Sequence, residues 1–201
     1  MKKWLLLVLV VCVVAVVGIS YLGAPQAGDL TQYGVKSWSH YASSQGFRVD
    51  YPTGWKVEPY DAQAGRGAQF SHSPKGDASI IAVRSHVPRE TLRDLARQCG
   101  SELSAYDECQ DAVMDSFYFG YTSGLAMDVV ISGQPAKVAL FEYADAKNRK
   151  VQGYRITTLA PDGKQFCTIV SLVEGKLTAL DALKDKVVGS LKFGASQGQK
   201  R

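Results

Sequence analysis

Outside one stretch at its N-terminus, this sequence of 201 residues has no uncharged apolar run approaching the roughly 18 residues that a membrane span requires, which excludes a polytopic membrane protein. It is also poor in the residues on which most enzyme chemistry rests. There are three histidines, His40, His72 and His86, and no Cys-x-x-Cys, Gly-x-Ser-x-Gly, His-Glu-x-x-His, Walker or dinucleotide fingerprint. A hydrolase or nucleotide enzyme therefore has no motif to stand on, and no catalytic residue, metal or cofactor is expected. Basic residues do not cluster beyond Lys147-Asn148-Arg149-Lys150 and the terminal Lys200-Arg201, so nucleic acid lacks a footing. With 21% charged and 10% aromatic residues the chain is neither disordered nor collagen-like, and no internal repeat is present.

What is present divides into two unlike parts. Residues 4–22, WLLLVLVVCVVAVVGISYL, carry no charge, and 17 of these 19 residues are apolar. As a helix they would cover about 28 Å, close to the ~30 Å of hydrocarbon in a bilayer. Lys2 and Lys3 precede the run and no Lys or Arg follows until Lys36, so the positive-inside rule keeps the N-terminus cytoplasmic and sends residues 23–201 across. The expectation is a single-pass signal anchor over 1–22, the run being longer than the ~7–15 apolar residues of a cleaved signal. The alternative is secretion after cleavage near Gly18-Ile19-Ser20. Cys12, set among valines, is not read as a lipid-attachment site. Without this segment the chain is about 41% apolar and nearly neutral, an ordinary exported domain.

Export makes disulfides admissible, and Cys99, Cys109 and Cys167 remain. Residues 88–99 read as a helix, with Pro88 near N1, Leu92, Leu95, Ala96 and Cys99 on one stripe, and Gly100 as the stop. A continuous helix to 109 would hold the two cysteines ~15 Å apart, too far for a bridge, whereas a stop at Gly100 permits one. The expected pairing is Cys99–Cys109, with Cys167 buried on a strand; the competing arrangement is three buried free thiols.

Residues 23–45 read as a tether, with a helical turn at about 36–43. Phe47, Val49 and Tyr51 alternate with Arg48 and Asp50, and Trp55 and Val57 open a second strand beyond the Pro52-Thr53-Gly54 turn. Further strands are predicted at 67–72, 78–86, 113–121, 125–131, 136–143, 151–160 and 165–173. Their turn signals are Pro74-Lys75-Gly76-Asp77, Ser132-Gly133-Gln134-Pro135 and Pro161-Asp162-Gly163-Lys164. Over 176–191, Leu177, Leu180, Leu183, Val187, Val188 and Leu191 recur at helical spacing. Residues 194–201 read as a frayed tail. Antiparallel strands with two helices make an α+β fold.

The segment Gly46-Phe-Arg-Val-Asp-Tyr-Pro-Thr-Gly-Trp-Lys-Val57 resembles the opening of PsbP-like, or Mog1/PsbP-fold, domains. So do the hairpin leading into a helix, the later Gly133, Pro135 and Ala136, and the closing helix ending Ser190-Leu191-Lys192-Phe193. The likeness covers residues 46–193. It implies a central antiparallel sheet flanked by helices, and the binding and accessory roles of that group: photosystem subunits, a GTPase-binding factor and anchored bacterial envelope proteins. No catalytic motif transfers. Tyr51, Pro52, Gly54 and Trp55 carry over as structural markers, Trp55 as core.

His40 lies in the tether and His72 and His86 lie rungs apart, so no acid–base pair is expected. Asp107, Glu108, Asp111 and Asp115 lack the spacing of a calcium loop and read as a solvated acidic loop. Phe117, Tyr118, Phe119 and Tyr121 point to both faces of their expected strand, one face core and the other, with Tyr118, a partner or ligand patch. The function expected is a non-enzymatic, membrane-anchored envelope module that binds another protein. The alternatives are a small-ligand or lipid-binding protein, its pocket under the 176–191 helix, and a hydrolase using His72 or His86.

Overall fold

A computed structural model describes residues 30–62, 65–72, 77–160 and 163–193; the apolar run 4–22 and the tail 194–201 lie outside these. Among the described residues no helix is long and apolar enough to cross a membrane.

The chain enters through a 3₁₀ turn, Thr31–Tyr33, and strand β1, Trp38–Ala42, which pairs antiparallel with β2, Phe47–Pro52. Residues 30–42, expected in the tether, are thus part of the folded domain. Trp55 explains why, since its indole N–H donates to the Tyr33 carbonyl at 2.9 Å and both side chains are buried. The Tyr51-Pro52-Thr53-Gly54-Trp55 motif therefore staples the entry segment to the core, and Gly54 makes its turn at φ +87°.

The larger sheet follows. Strands β3, Lys56–Ala62, β4, Gly65–His72, and β5, Ala78–Ser85, form a meander. Then come helices α1, Arg89–Cys99, and α2, Glu102–Phe117. Strands β6, Thr122–Ser123, β7, Met127–Ile131, β8, Gln134–Ala144, β9, Lys150–Leu159, and β10, Gln165–Val173, complete the sheet in the order β3-β4-β5-β10-β9-β8-β6, with β7 also on β8. Every pairing is antiparallel. Helix α3, Leu177–Ser190, leads to β11, Lys192–Phe193, which closes on β2 to give the small sheet β1-β2-β11.

These elements stack in three layers. One face of the large sheet, with Phe70, Ile80, Ile156 and Val170, packs against α3 and the small sheet. The opposite face, with Val83 and Cys167, packs against α1 and α2 through Leu92, Ala105 and Tyr106. Strands β9 and β10 lie beneath both layers and are buried almost continuously. The central antiparallel sheet with helices on both faces is the one the resemblance implied.

One expected element is replaced. Residues 113–117 are not a strand but the last turn of α2. The helix is restarted by Ser101, whose hydroxyl accepts from the Ser104 amide at 3.1 Å after Gly100 has ended α1 at φ +81°. The spacing of Tyr106, Gln110, Val113, Met114 and Phe117 is the i, i+3, i+4 interval of a helix, which accounts for the break in alternation between Met114 and Phe117.

Candidate functional site

Helix α2 is fixed to the sheet by a buried ion cluster. Arg155, 2% exposed in the middle of β9, points at α2 with its guanidinium on both carboxylate oxygens of Asp107, at 3.0 and 3.2 Å. Thr157 donates to the same carboxylate at 2.8 Å, and Arg155 also pairs with Asp111. Tyr121 completes the ring, receiving from Arg155 at 2.8 Å and donating to Asp111 at 2.7 Å. Burial opposes the Arg155 charge, but the Asp107 carboxylate outweighs it and holds the guanidinium protonated. Burial likewise opposes ionisation of Asp111, yet the bonds from Tyr121 and Arg155 prevail and lower its pKa. At the lower end of the helix, the hydroxyls of Tyr106 and Ser85 bond to each other in the core.

This corrects the reading of the acidic residues. Asp107 and Asp111 are structural counter-ions on a helix, Glu108 takes a hydrogen bond from the Cys99 thiol at 3.1 Å, and Asp115 is exposed. Cys99, Cys109 and Cys167 are free thiols in this structure, so the expected Cys99–Cys109 bridge is not formed. Gly100 does end the first helix, but the new helix turns the Cys99 sulfur onto Glu108, one residue short of Cys109. That carboxylate pushes the Cys99 thiol pKa up. Cys167 is buried on β10, where desolvation raises its pKa to about 12.

Between α2 and the sheet, on the side that holds Cys109 and Val113, lies an apolar cleft of ≈ 560 Å³. Ile81, Val83 and Ile169 form its floor, Val113 and Phe117 its roof and Tyr60 its far wall. Gln110, His86, Tyr118 and the two cysteines Cys109 and Cys167 also border it. Gln110 is 7% exposed, and its carboxamide makes no hydrogen bond among the described residues. His86, at the foot of β5, borders the cleft and also the neighbouring surface depression that holds Arg84 and Arg89.

Above the cleft the chain leaves α2 and runs along the outer edge of the sheet. The Phe119 carbonyl accepts from Ala144 and the Gly124 amide donates to Leu140, fixing this passage to β8. Phe117, Phe119, Leu125 and Met127 stand out from it, 76%, 83%, 96% and 60% exposed. The aromatics around Tyr118 are exposed in a different order from the one expected. Tyr118 is half-buried, stacked on Tyr143 at 4.2 Å, while its two phenylalanine neighbours face solvent.

The three histidines are not brought together. His40 bonds Asp50 at 2.5 Å on the small sheet, His72 lies beside Trp55 at the end of β4, and His86 lies at the opposite end of the large sheet. None bonds a serine or cysteine among the described residues. Nor does the pocket expected under α3 have walls to line it, because Ala179, Leu180, Leu183 and Val187 are fully packed against the sheet.

The layer order, the entry staple and the helix pair define a PsbP/Mog1-like fold. Among solved structures, the solution structure of cyanobacterial PsbP (CyanoP) from Synechocystis sp. PCC 6803 superposes with a TM-score of 0.58 at 20% identity, covering 86% of this chain and 98% of that one. The Saccharomyces cerevisiae Ran-binding protein Mog1p gives 0.50 at 10% identity, over 78% and 96%. No family model matches the chain, and no curated protein sequence matches it.

Proposed function

We propose that the chain is a non-enzymatic accessory module of the cell envelope, anchored in the membrane by residues 4–22, whose extracytoplasmic PsbP/Mog1-like domain binds another protein. The observation that carries this reading is the exposed rim of Phe117, Phe119, Leu125 and Met127. Four large apolar side chains, each 60% or more exposed and all within eleven residues, exceed what a surface with scattered apolar groups displays. Aromatic and methionine side chains are also those enriched at protein interfaces. The scattered histidines supply no nucleophile–base pair, which favours binding over hydrolysis. The Saccharomyces cerevisiae neighbour is a Ran-binding protein, in keeping with a binding role for the fold.

The test separates anchor from interface. Membranes from cells producing the full chain are washed with alkaline carbonate, then mildly cross-linked, and the chain is purified through a C-terminal tag. The protein is expected in the pellet with a reproducible partner, and that partner should disappear in a Phe119→Asp, Leu125→Asp, Met127→Asp variant. Release by carbonate would overturn the anchor. A partner set indifferent to the triple variant would overturn the rim as the interface.

A further inference from the structure

We propose that the partner met by the rim is an integral membrane protein, engaged close to the bilayer through an apolar extracytoplasmic segment that carries a basic side chain opposite Asp115. This rests on the anchor and the protein-binding rim proposed above, and adds the height above the membrane at which the contact is made.

Seven residues, 23–29, lie between the apolar run and Leu30. Even fully extended they hold Leu30 within about 25 Å of the end of that run. Leu30 packs on the main core and its carbonyl accepts from the Tyr33 amide at 3.0 Å, so the point of entry is fixed on the domain. It is fixed at one end of the large sheet. The Tyr33 hydroxyl lies over Gly175, 2.8 Å from the point a Cβ there would occupy, just beyond the last residue of β10.

The rim begins at the same end. The Glu174 amide donates to the Lys150 carbonyl at 2.8 Å, Lys150 lies opposite Ala144, and the Ala144 amide donates to the Phe119 carbonyl at 3.1 Å. Three strand spacings, about 14 Å, therefore separate Phe119 from the chain beneath Tyr33. Phe117 is the last residue of α2, and Met127, opposite Val138, continues the rim along the edge. The far end of the sheet, where β5 stops at Ser85 and β10 starts at Gln165, lies about 26 Å away along the strands. The corner with Phe117 and Phe119 is thus on the anchored side. The gap beneath that side is at most about 25 Å at Leu30, narrower than the ~30 Å of a small folded domain. A protein rising from the bilayer beside the corner meets no such limit.

Charge refines the partner. Asp115 stands in the last turn of α2, which holds no basic residue, so its carboxylate opposes the helix dipole instead of complementing it. It is exposed and has no ion pair among the described residues. An anionic lipid headgroup would be repelled here. A lysine or arginine next to an apolar contact would find both the carboxylate and the carbonyl end of the helix.

The experiment uses the full chain in intact membranes, with the photo-cross-linker benzoylphenylalanine at Phe119 and, in a second version, at Arg89 at the far end of the sheet. The Phe119 probe is expected to capture a protein, identified by mass spectrometry, that resists alkaline carbonate in membranes lacking this chain; the Arg89 probe should not capture it. Inserting twenty Gly/Ser residues between Gly28 and Asp29 should lower the yield roughly five- to tenfold, the fall in effective concentration on a longer tether. Asp115→Lys should lower it severalfold with the melting temperature unchanged or raised. A captured protein that carbonate releases, or a yield indifferent to the insertion, would overturn the membrane-embedded partner and leave the rim as an interface. Asp115→Lys without effect would overturn the basic contact. Phospholipid adducts alone at Phe119, a cross-link only to a second copy of the chain, or equal capture by both probes would overturn the rim reading itself.

Discussion

Arg155 is the residue on which the back layer depends. Removing its partner by Asp107→Ala would strand a buried guanidinium and is expected to lower stability by about 3–5 kcal/mol, read from urea unfolding. Asp111 adds a pH dependence whose sign follows from its depressed pKa. Its contribution is complete above the unfolded carboxylate value of about 3.9 and is lost as pH falls through the lower folded value. The urea midpoint of Asp111→Asn should therefore fall less than that of the parent as pH is lowered below about 4. An equal acid response in both would remove Asp111 from the account. The sequence carries one sign of this clamp. A lone arginine between Tyr154 and Ile156, just before the β-branched run Ile156-Thr157-Thr158, calls for a buried counter-ion. The nearest acids in sequence gave no pointer, because Asp107 lies 48 residues away.

At the level of elements, two substitutions probe how α2 and the sheet are set. Ser101→Ala removes the N-cap and is expected to cost about 1 kcal/mol, since the Ser104 amide then loses its acceptor. Gly153→Ala should cost at least about 2 kcal/mol, because a methyl group there would come within 2.3 Å of the Phe141 ring and 2.6 Å of the Val170 carbonyl. Thermal melts order the two, and a Gly153→Ala protein as stable as the parent would contradict the close approach of β8 and β9. Most elements were legible because hairpin signals at 132–135 and 161–164 and the stripe over 177–190 are local features. Helix α2 was not, because aromatic residues at its C-terminus mimic a strand and its cap at Ser101 follows directly on the end of α1. Strand β1 was hidden for another reason: Trp38 to Ala42 has little polarity contrast and becomes a strand only by pairing with β2.

For the whole molecule, the three layers predict a graded thiol chemistry. Under native conditions without reductant, Cys99 and Cys109 should be alkylated and Cys167 protected until unfolding, its thiol held protonated by burial in the central strand. A peptide joining Cys99 to Cys109 in the purified protein would contradict the free thiols and the Cys99–Glu108 contact. The fold could be read from the sequence through one motif and the order of elements; the cleft could not, since its walls come from residues near 60, 81–88, 109–118 and 167–169. Distances of that kind are set only when the layers stack. The outer edge of the large sheet carries one more consequence. Strand β8 is eleven residues long, but its free side is covered in two short pieces, β7 at its beginning and β6 near its end. The exposed backbone is therefore broken into stubs of five and two residues, too short and too offset to template a continuous ladder with another molecule. A protein displaying Leu125 and Met127 on such an edge can associate through those side chains without its backbone seeding fibrils.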